Sequence, residues 1–93
     1  MARLPDDDVR TALDALPGWD GGAEAISKQY RLDNFPAAVA FVVRLSYPAE
    51  AANHHPDLDI RYNKVTVTLS THDEGGVTAK DLDLARSIEA LAP

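Results

Sequence analysis

The most regular pattern of apolar and polar residues lies over residues 65–71, where the two kinds alternate. Val65, Val67 and Leu69 fall on one side, and hydroxyl residues stand between them. A period of two is typical of a β-strand with one buried face. The pattern predicts a strand over residues 65–71, with a shorter partner near residues 59–62 that turns back at Asn63-Lys64 to form a hairpin.

A second, weaker alternation covers residues 25–32. It places Ile26, Tyr30 and Leu32 on one side of an extended segment and predicts another strand. Trp19 precedes this segment and is predicted to anchor the core.

Helical spacing of apolar residues begins near the N-terminus. Residues 6–16 carry three aspartates at their start, which suit the positive end of a helix dipole, and Pro17-Gly18 follows as a stop signal. A second helix is predicted over residues 37–52, after the N-cap residue Asn34. Pro48 lies inside it and predicts a kink or a local break.

The last predicted helix begins at Thr78, with Asp81 three residues later as its capping-box partner. The order of elements is therefore helix, strands, helix, strands, helix. A single antiparallel sheet with helices on one face would bury all the apolar stripes, so we predict an α+β, two-layer fold. We expect the 93 residues to form one domain, residues 1–93. Its open sheet face or an edge strand would remain available for self-association.

Composition narrows the class of function. Nine basic and fifteen acidic residues give a net charge of −6, which argues against a nucleic-acid groove and favours a neutral or polar small molecule. No apolar run reaches the roughly 20 residues that a membrane helix needs. There is no cysteine and no signal-peptide pattern, so a cytoplasmic location is expected.

The candidate chemistry lies in the three histidines, His54, His55 and His72. The first two precede Pro56 at a predicted helix-to-strand junction, and the third follows the clearest strand. Histidine exchanges protons near neutral pH, so the set suggests acid–base chemistry. Two other interpretations are a cap at a helix end and a zinc site with three protein ligands.

Four sequence pieces in register resemble the pterin-4a-carbinolamine dehydratase family. They are Glu50-Ala-Ala-Asn-His-His-Pro56, Tyr62-Asn-Lys-Val65, Thr71-His-Asp73 and Gly76-Val-Thr78 with Asp81. The resemblance runs from about residue 19 to residue 91.

The resemblance implies a four-stranded antiparallel sheet with helices on one side, assembled into homodimers or homotetramers. It implies a lyase that removes water from 4a-hydroxytetrahydropterin to give quinonoid dihydropterin, in the recycling of tetrahydrobiopterin. No metal and no organic cofactor would be needed, since the pterin is the substrate.

The resemblance also assigns roles by position. His54, His55 and His72 match the active-site histidines and are the predicted catalytic residues. Our hypothesis is that His54 and His72 exchange protons with the substrate while His55 holds it. The predicted substrate-binding residues are Glu50, Pro56, Thr71, Asp73 and Asp81.

Simpler roles stay open for some of these residues. Glu50, one helical turn before His54, could orient that ring or be a solvated helix residue. Asp81 could be a capping residue, a site residue or both. Leu58 departs from the family, which commonly has tryptophan there, and Lys80 stands where some relatives carry arginine.

Two other functions compete with the enzyme. One is a binding or dimerisation module of the same fold, because animal relatives also serve as dimerisation partners of a homeodomain transcription factor. The other is pterin handling without turnover, for example near molybdopterin metabolism.

Overall fold

The computed structural model describes residues 2–93, which form three α-helices and one four-stranded antiparallel sheet. The helices are α1 (Asp6–Leu13), α2 (Phe35–Ala51) and α3 (Ala79–Leu91). The strands are β1 (Asp20–Gly21), β2 (Ile26–Arg31), β3 (Asp57–Arg61) and β4 (Lys64–Leu69), and a 3-10 turn spans His72–Glu74. Their order across the sheet is β1-β2-β4-β3. The predicted α+β fold is confirmed.

The alternation in β4 places Val65, Val67 and Leu69 on the covered face of the sheet, where all three are fully buried. In the neighbouring strand β2, Tyr30 pairs with Val65 and Ile26 pairs with Leu69. Residues directly opposite each other in antiparallel strands point to the same side, so both strands bury one continuous apolar surface. The helices cover it with buried side chains, among them Phe41, Leu45, Leu82, Ala85 and Ile88.

Strand β3 forms the other edge of the sheet and is exposed along its whole length. Leu58 pairs with Val67 and Ile60 with Val65, so both side chains point to the helix side. They are nevertheless exposed, because the layer of helices does not extend over this edge. The edge therefore combines unpaired backbone groups with apolar side chains.

Several predicted boundaries shift. Helix α1 ends at Leu13, not at residue 16, and the chain continues in tighter turns in which each of Asp14, Ala15 and Leu16 donates to the carbonyl three residues earlier. Leu16 is still buried, so the apolar spacing predicted its burial correctly and its helical state incorrectly.

The hairpin between β3 and β4 turns at Tyr62 and Asn63, one residue earlier than predicted, and β4 ends at Leu69, not at residue 71. Asn63 is fixed in the turn by contacts to Leu32, the residue that follows β2. Its side-chain amide donates to the Leu32 carbonyl at 3.0 Å, and its own carbonyl accepts from the Leu32 amide at 2.7 Å. These contacts hold the turn against the chain at the end of β2.

Helix α2 runs through Pro48 without the predicted break. Proline removes the hydrogen bond to the carbonyl of Arg44, which lies on the exposed side of the helix, where water can replace the donor. The helix recovers at once, since the Ala52 amide donates to the Pro48 carbonyl at 3.0 Å.

A polar cluster connects α3 to the sheet, and its residues lie far from the histidines in the sequence. One oxygen of Glu89, Oε1, accepts from Lys28 Nζ at 2.6 Å, from the Tyr30 hydroxyl at 2.5 Å and from Trp19 Nε1 at 3.2 Å. Burial by itself raises the pKa of Glu89, but the hydrogen bonds from Lys28 and Tyr30 outweigh it and hold that pKa below the ordinary 4.5. Burial and the adjacent carboxylate raise the pKa of Tyr30 far above its ordinary range, so its hydroxyl is a permanent donor.

This cluster predicts an acid-sensitive contribution to stability. We expect Glu89→Gln to lower the free energy of unfolding at pH 7 by about 1–3 kcal/mol, because three part-buried donors lose a charged acceptor. The pKa of Glu89 is lower in the folded state than in the unfolded state, so its carboxylate stabilises the fold at pH values above the unfolded-state pKa. This stabilisation is lost as the pH falls through the folded-state pKa. Urea unfolding followed by Trp19 fluorescence from pH 7 to pH 3 measures both effects.

The matched control is Asp83→Asn, which removes an exposed carboxylate of the same helix that is paired with Arg86. Such a surface pair contributes about 0–1 kcal/mol. Equal stability losses in the two variants, or an unchanged pH profile in Glu89→Gln, would show that the Glu89 cluster is not the source.

Candidate active site

The position of His54 is set by the way α2 ends. Asn53 adopts a left-handed conformation with φ of 49°. The amide of Asn53 then donates to the carbonyl of Glu50, and the amide of His54 donates to that of Ala49, both at 3.0 Å. This pair of bonds is the Schellman motif, in which asparagine is a common substitute for glycine at the left-handed position. It turns the chain sharply, so that His54, His55 and Pro56 form the predicted junction between α2 and β3.

His72 lies at the first position of the 3-10 turn that follows β4. Thr71, just before it, makes an isolated bridge with Gly76 that closes the loop. Gly75 completes the turn with φ of 72°, a conformation that favours glycine. The loop is therefore compact, and the side of it that carries His72 faces the end of α2.

These two junctions meet at one cavity of about 300 Å³. All three histidines line it, together with Asn53, Ser70, Thr71, Asp73 and Lys80. The fold thus brings His72 back to the pair, as the acid–base interpretation requires. His54 is nearly buried, whereas His55 and His72 are exposed.

His54 is held from behind by Asp81, which is fully buried in the first turn of α3. Nε2 of His54 is hydrogen-bonded to Oδ1 of Asp81. The second oxygen, Oδ2, accepts from the Thr71 hydroxyl at 2.8 Å and from the Thr78 amide at 2.9 Å. Asp81 is therefore both the capping-box residue of α3 and the partner of a cavity histidine.

Glu50 does not orient His54, contrary to one of the roles predicted for it. Its Oε1 contacts Nε2 of His55 at 2.8 Å, and both side chains are largely exposed. The reason lies in the Schellman turn, which directs His54 inward to Asp81 and leaves His55 on the Glu50 side of the helix end.

A second depression, of about 420 Å³, adjoins the histidine cavity through His55, which lines both. It is mostly apolar and lies between the end of α2 and β3. Its other lining residues include Tyr47, Glu50, Pro56 and Leu58. A flat substrate held at His55 would therefore have polar surroundings on one side and apolar surroundings on the other.

The predicted site residues thus separate into three groups. The histidine cavity is lined by His54, His55, His72, Thr71 and Asp73. The adjoining groove is lined by Glu50 and Pro56, together with His55. Asp81 lines neither and is buried beneath His54.

Sequence reasoning missed one member of the network. Thr78 was expected only as the start of α3, but its hydroxyl lies 2.8 Å from that of Thr71. The Thr-x-x-Asp capping box was the available signal, because it places the threonine beside Asp81.

A larger, apolar groove of about 550 Å³ lies between α2 and α3. Its lining contains no histidine or carboxylate, and none of the predicted site residues lies in it. Within residues 2–93, no three His, Cys, Asp or Glu side chains are grouped in a way that could hold a metal ion. No helix in the described part of the chain has the length and apolarity needed to cross a membrane.

Comparison with known proteins matches this arrangement to one family. The family model described as pterin 4 alpha carbinolamine dehydratase matches residues 2–91. A relative from Nocardia farcinica, named "Putative pterin-4-alpha-carbinolamine dehydratase", is 51% identical over 89 residues, which are 96% of this chain and 94% of the relative. A relative of the same name from Roseiflexus castenholzii is 50% identical over 90 residues, 97% of each chain.

Solved structures agree with the fold. The crystal structure of a transcriptional coactivator/pterin dehydratase from Brucella melitensis superposes with a TM-score of 0.92 at 39% identity, covering 98% of this chain and 99% of the other. A pterin dehydratase-like protein, identified as a RuBisCO assembly factor in the alpha-carboxysome, superposes with a TM-score of 0.65 at 20% identity over 80% of this chain and 86% of the other, and shows the fold alone. The chain belongs to the pterin-4-alpha-carbinolamine dehydratase family.

Proposed function

We propose that this protein is a 4a-hydroxytetrahydropterin dehydratase that works by histidine acid–base catalysis. The observation that carries the proposal is the meeting of His54, His55 and His72 at one cavity, with His54 held by a buried carboxylate. Family membership supports a dehydratase in general terms. The acid–base groups support this particular reaction, because it consists of two proton transfers and one bond cleavage.

The substrate carries a hydroxyl on carbon 4a, next to a ring N–H. A proton is delivered to that hydroxyl, the carbon–oxygen bond breaks, and water leaves. The lone pair of the neighbouring nitrogen forms a carbon–nitrogen double bond, and the nitrogen then gives up its proton. One proton is supplied and one is taken, so the number of protons on the protein is unchanged. The acid and the base regain their starting states by exchanging protons with water, and the reaction needs no metal, oxidant or organic cofactor.

We assign the two proton transfers to His54 and His72, which reach the cavity from different elements. A positioned acid or base contributes about 10²- to 10⁴-fold to a rate. His55 lies between the polar cavity and the apolar groove and would hold the ring, with Glu50 fixing its orientation through the 2.8 Å contact. Leu58 would border the ring where the family commonly has an aromatic side chain.

The test is the appearance of quinonoid dihydropterin from freshly generated 4a-hydroxytetrahydropterin, followed with and without protein in buffer that contains EDTA and no added cofactor. We expect a rate that rises in proportion to protein concentration. A rate equal to the protein-free rate would defeat the proposal.

An interaction module is the second candidate, favoured by the word coactivator in the name of the Brucella melitensis protein. The same assay separates the two functions, since a module without catalytic activity leaves the dehydration rate unchanged.

We also propose that the protein is a homodimer or homotetramer in the cytoplasm. The exposed edge strand β3 supports self-association, as does the row of exposed apolar residues on α2, which are Phe35, Val39, Val43 and Tyr47. Sedimentation velocity at micromolar concentration should give two or four times the 10.1 kDa chain mass. A single species at the chain mass would contradict this proposal.

A further inference from the structure

We propose that Thr71 is a positioning residue, which fixes Asp81 and through it the orientation of His54, and that its hydroxyl donates no hydrogen bond to substrate. The inference deepens the proposed function and rests on it. It replaces the substrate-binding role that the sequence suggested for this residue.

Two hydrogen bonds converge on one oxygen of Asp81. The Thr78 amide can only donate, and it donates to Oδ2 of Asp81 at 2.9 Å. The Thr71 hydroxyl donates to the same oxygen at 2.8 Å. A hydroxyl has one hydrogen, so Thr71 has none left for a ligand.

The contact between Thr71 and Thr78, 2.8 Å between their hydroxyl oxygens, then has a defined direction. Thr71 must accept there, and Thr78 must donate. Thr78 Oγ1 in turn accepts from the Lys80 amide at 3.3 Å. The series of hydrogen bonds from Lys80 through Thr78 and Thr71 therefore runs in one direction, with each donor on the side away from Asp81.

This direction determines the state of His54. Oδ2 of Asp81 accepts from both of its other partners, and a carboxylate has no hydrogen to donate. Nε2 of His54 therefore carries the hydrogen of this contact and donates to Oδ1. No buried side-chain nitrogen or oxygen among residues 2–93 lacks a partner, and Nδ1 of His54 makes no hydrogen bond to any of these residues. Nδ1 is therefore an accessible atom, open to the cavity that His54 lines.

Thr71 also joins the two halves of the site. Its backbone is fixed by the bridge to Gly76, and it directly precedes His72. Its side chain reaches Asp81 in α3, which holds His54. The Thr71 hydroxyl thus sets the position of His54 relative to His72. That relative position matters because the two histidines are assigned proton transfers at two points of the same pterin ring.

The experiment compares Thr71→Val, which keeps the shape and removes the hydroxyl, with Thr71→Ser, which keeps the hydroxyl. Thr68→Val is the matched control, because Thr68 lies in β4 on the open face of the sheet, away from the cavity. Turnover gives kcat and KM. Long-range ¹H–¹⁵N NMR of the three imidazoles gives the His54 tautomer without substrate.

We expect Thr71→Val to lower kcat about 10- to 100-fold, the loss that a small misplacement of a reacting group causes. KM should stay within about twofold, since no substrate contact is removed. The NMR spectrum of the unaltered protein should show His54 protonated at Nε2, and Thr71→Val should disturb that signal. Thr71→Ser and Thr68→Val should keep both kcat and the signal.

A raised KM with unchanged kcat in Thr71→Val would assign Thr71 to substrate binding and overturn the inference. So would unchanged kcat and KM in a folded Thr71→Val, or a Thr71→Ser as impaired as Thr71→Val. If Thr71→Val does not fold, a His54 protonated at Nδ1 in the unaltered protein overturns the inference by itself. Failure of the unaltered protein to catalyse dehydration defeats the proposed function instead, and the NMR result still stands.

Discussion

Replacement of His54 by glutamine and of His72 by alanine in one protein is expected to return the dehydration of 4a-hydroxytetrahydropterin to its protein-free rate. Each histidine is assigned one proton transfer, worth about 10²- to 10⁴-fold. The single variants should each lose most of the activity, and the double variant little more, because groups that act together in one step are not additive. Stopped-flow absorbance measures the rate in all three.

The choice of side chains keeps the fold intact. Glutamine can still donate to Asp81, so the buried carboxylate keeps a partner when the His54 ring is removed. His72 is exposed, and alanine there creates no cavity. His55→Gln is the matched contrast from the same cavity: a residue that holds the ring should raise KM more than it lowers kcat. A folded double variant with full activity would show that the two histidines do not carry the chemistry.

Asp81→Asn is expected to have the second largest effect, on both activity and stability. Asp81 accepts hydrogens through both of its oxygens, from His54, Thr71 and Thr78. An amide presents one oxygen and one NH₂ group, so one donor of the set meets another donor. We expect kcat to fall about 10²-fold or more, since an asparagine behind a catalytic histidine favours the wrong tautomer.

The free energy of unfolding of Asp81→Asn should fall by about 2–4 kcal/mol, because a fully buried site is left with unpaired polar atoms. Urea unfolding measures it, with Asp83→Asn as the control, two residues along the same helix and exposed. Wild-type kcat in Asp81→Asn would contradict the role of Asp81 behind His54. Equal stability of the two variants would contradict its role in the core.

The sequence predicted the parts of this structure that depend on near neighbours. The strict alternation over Val65, Val67 and Leu69 predicted a strand and its buried face. Asn34 as N-cap of α2, and Thr78 with Asp81 as capping box of α3, were found for the same reason, because a cap is a contact over two or three residues. The family resemblance added the sheet and the grouping of the histidines.

Contacts between distant residues could not be predicted in this way. Asp81 and His54 are 27 positions apart, and only the packing of α3 against the end of α2 brings them together. The same limit applied to Glu50, whose partner is decided by the turn at Asn53. A local pattern can also give a wrong prediction. Pro48 predicted an interruption of α2, but the hydrogen bond it removes lies on the exposed side of the helix, and the helix continues.

We expect the histidine cavity both to bind a pterin carbinolamine and to dehydrate it. The decisive measurement is a single turnover with protein in excess over 4a-hydroxytetrahydropterin, because at saturating protein all of the substrate is bound and only its conversion is observed. The first-order rate constant should rise with protein concentration and saturate at least about 10²-fold above the protein-free value. A rate constant that stays at the protein-free value while the pterin is bound would contradict it and would make the protein a binding module.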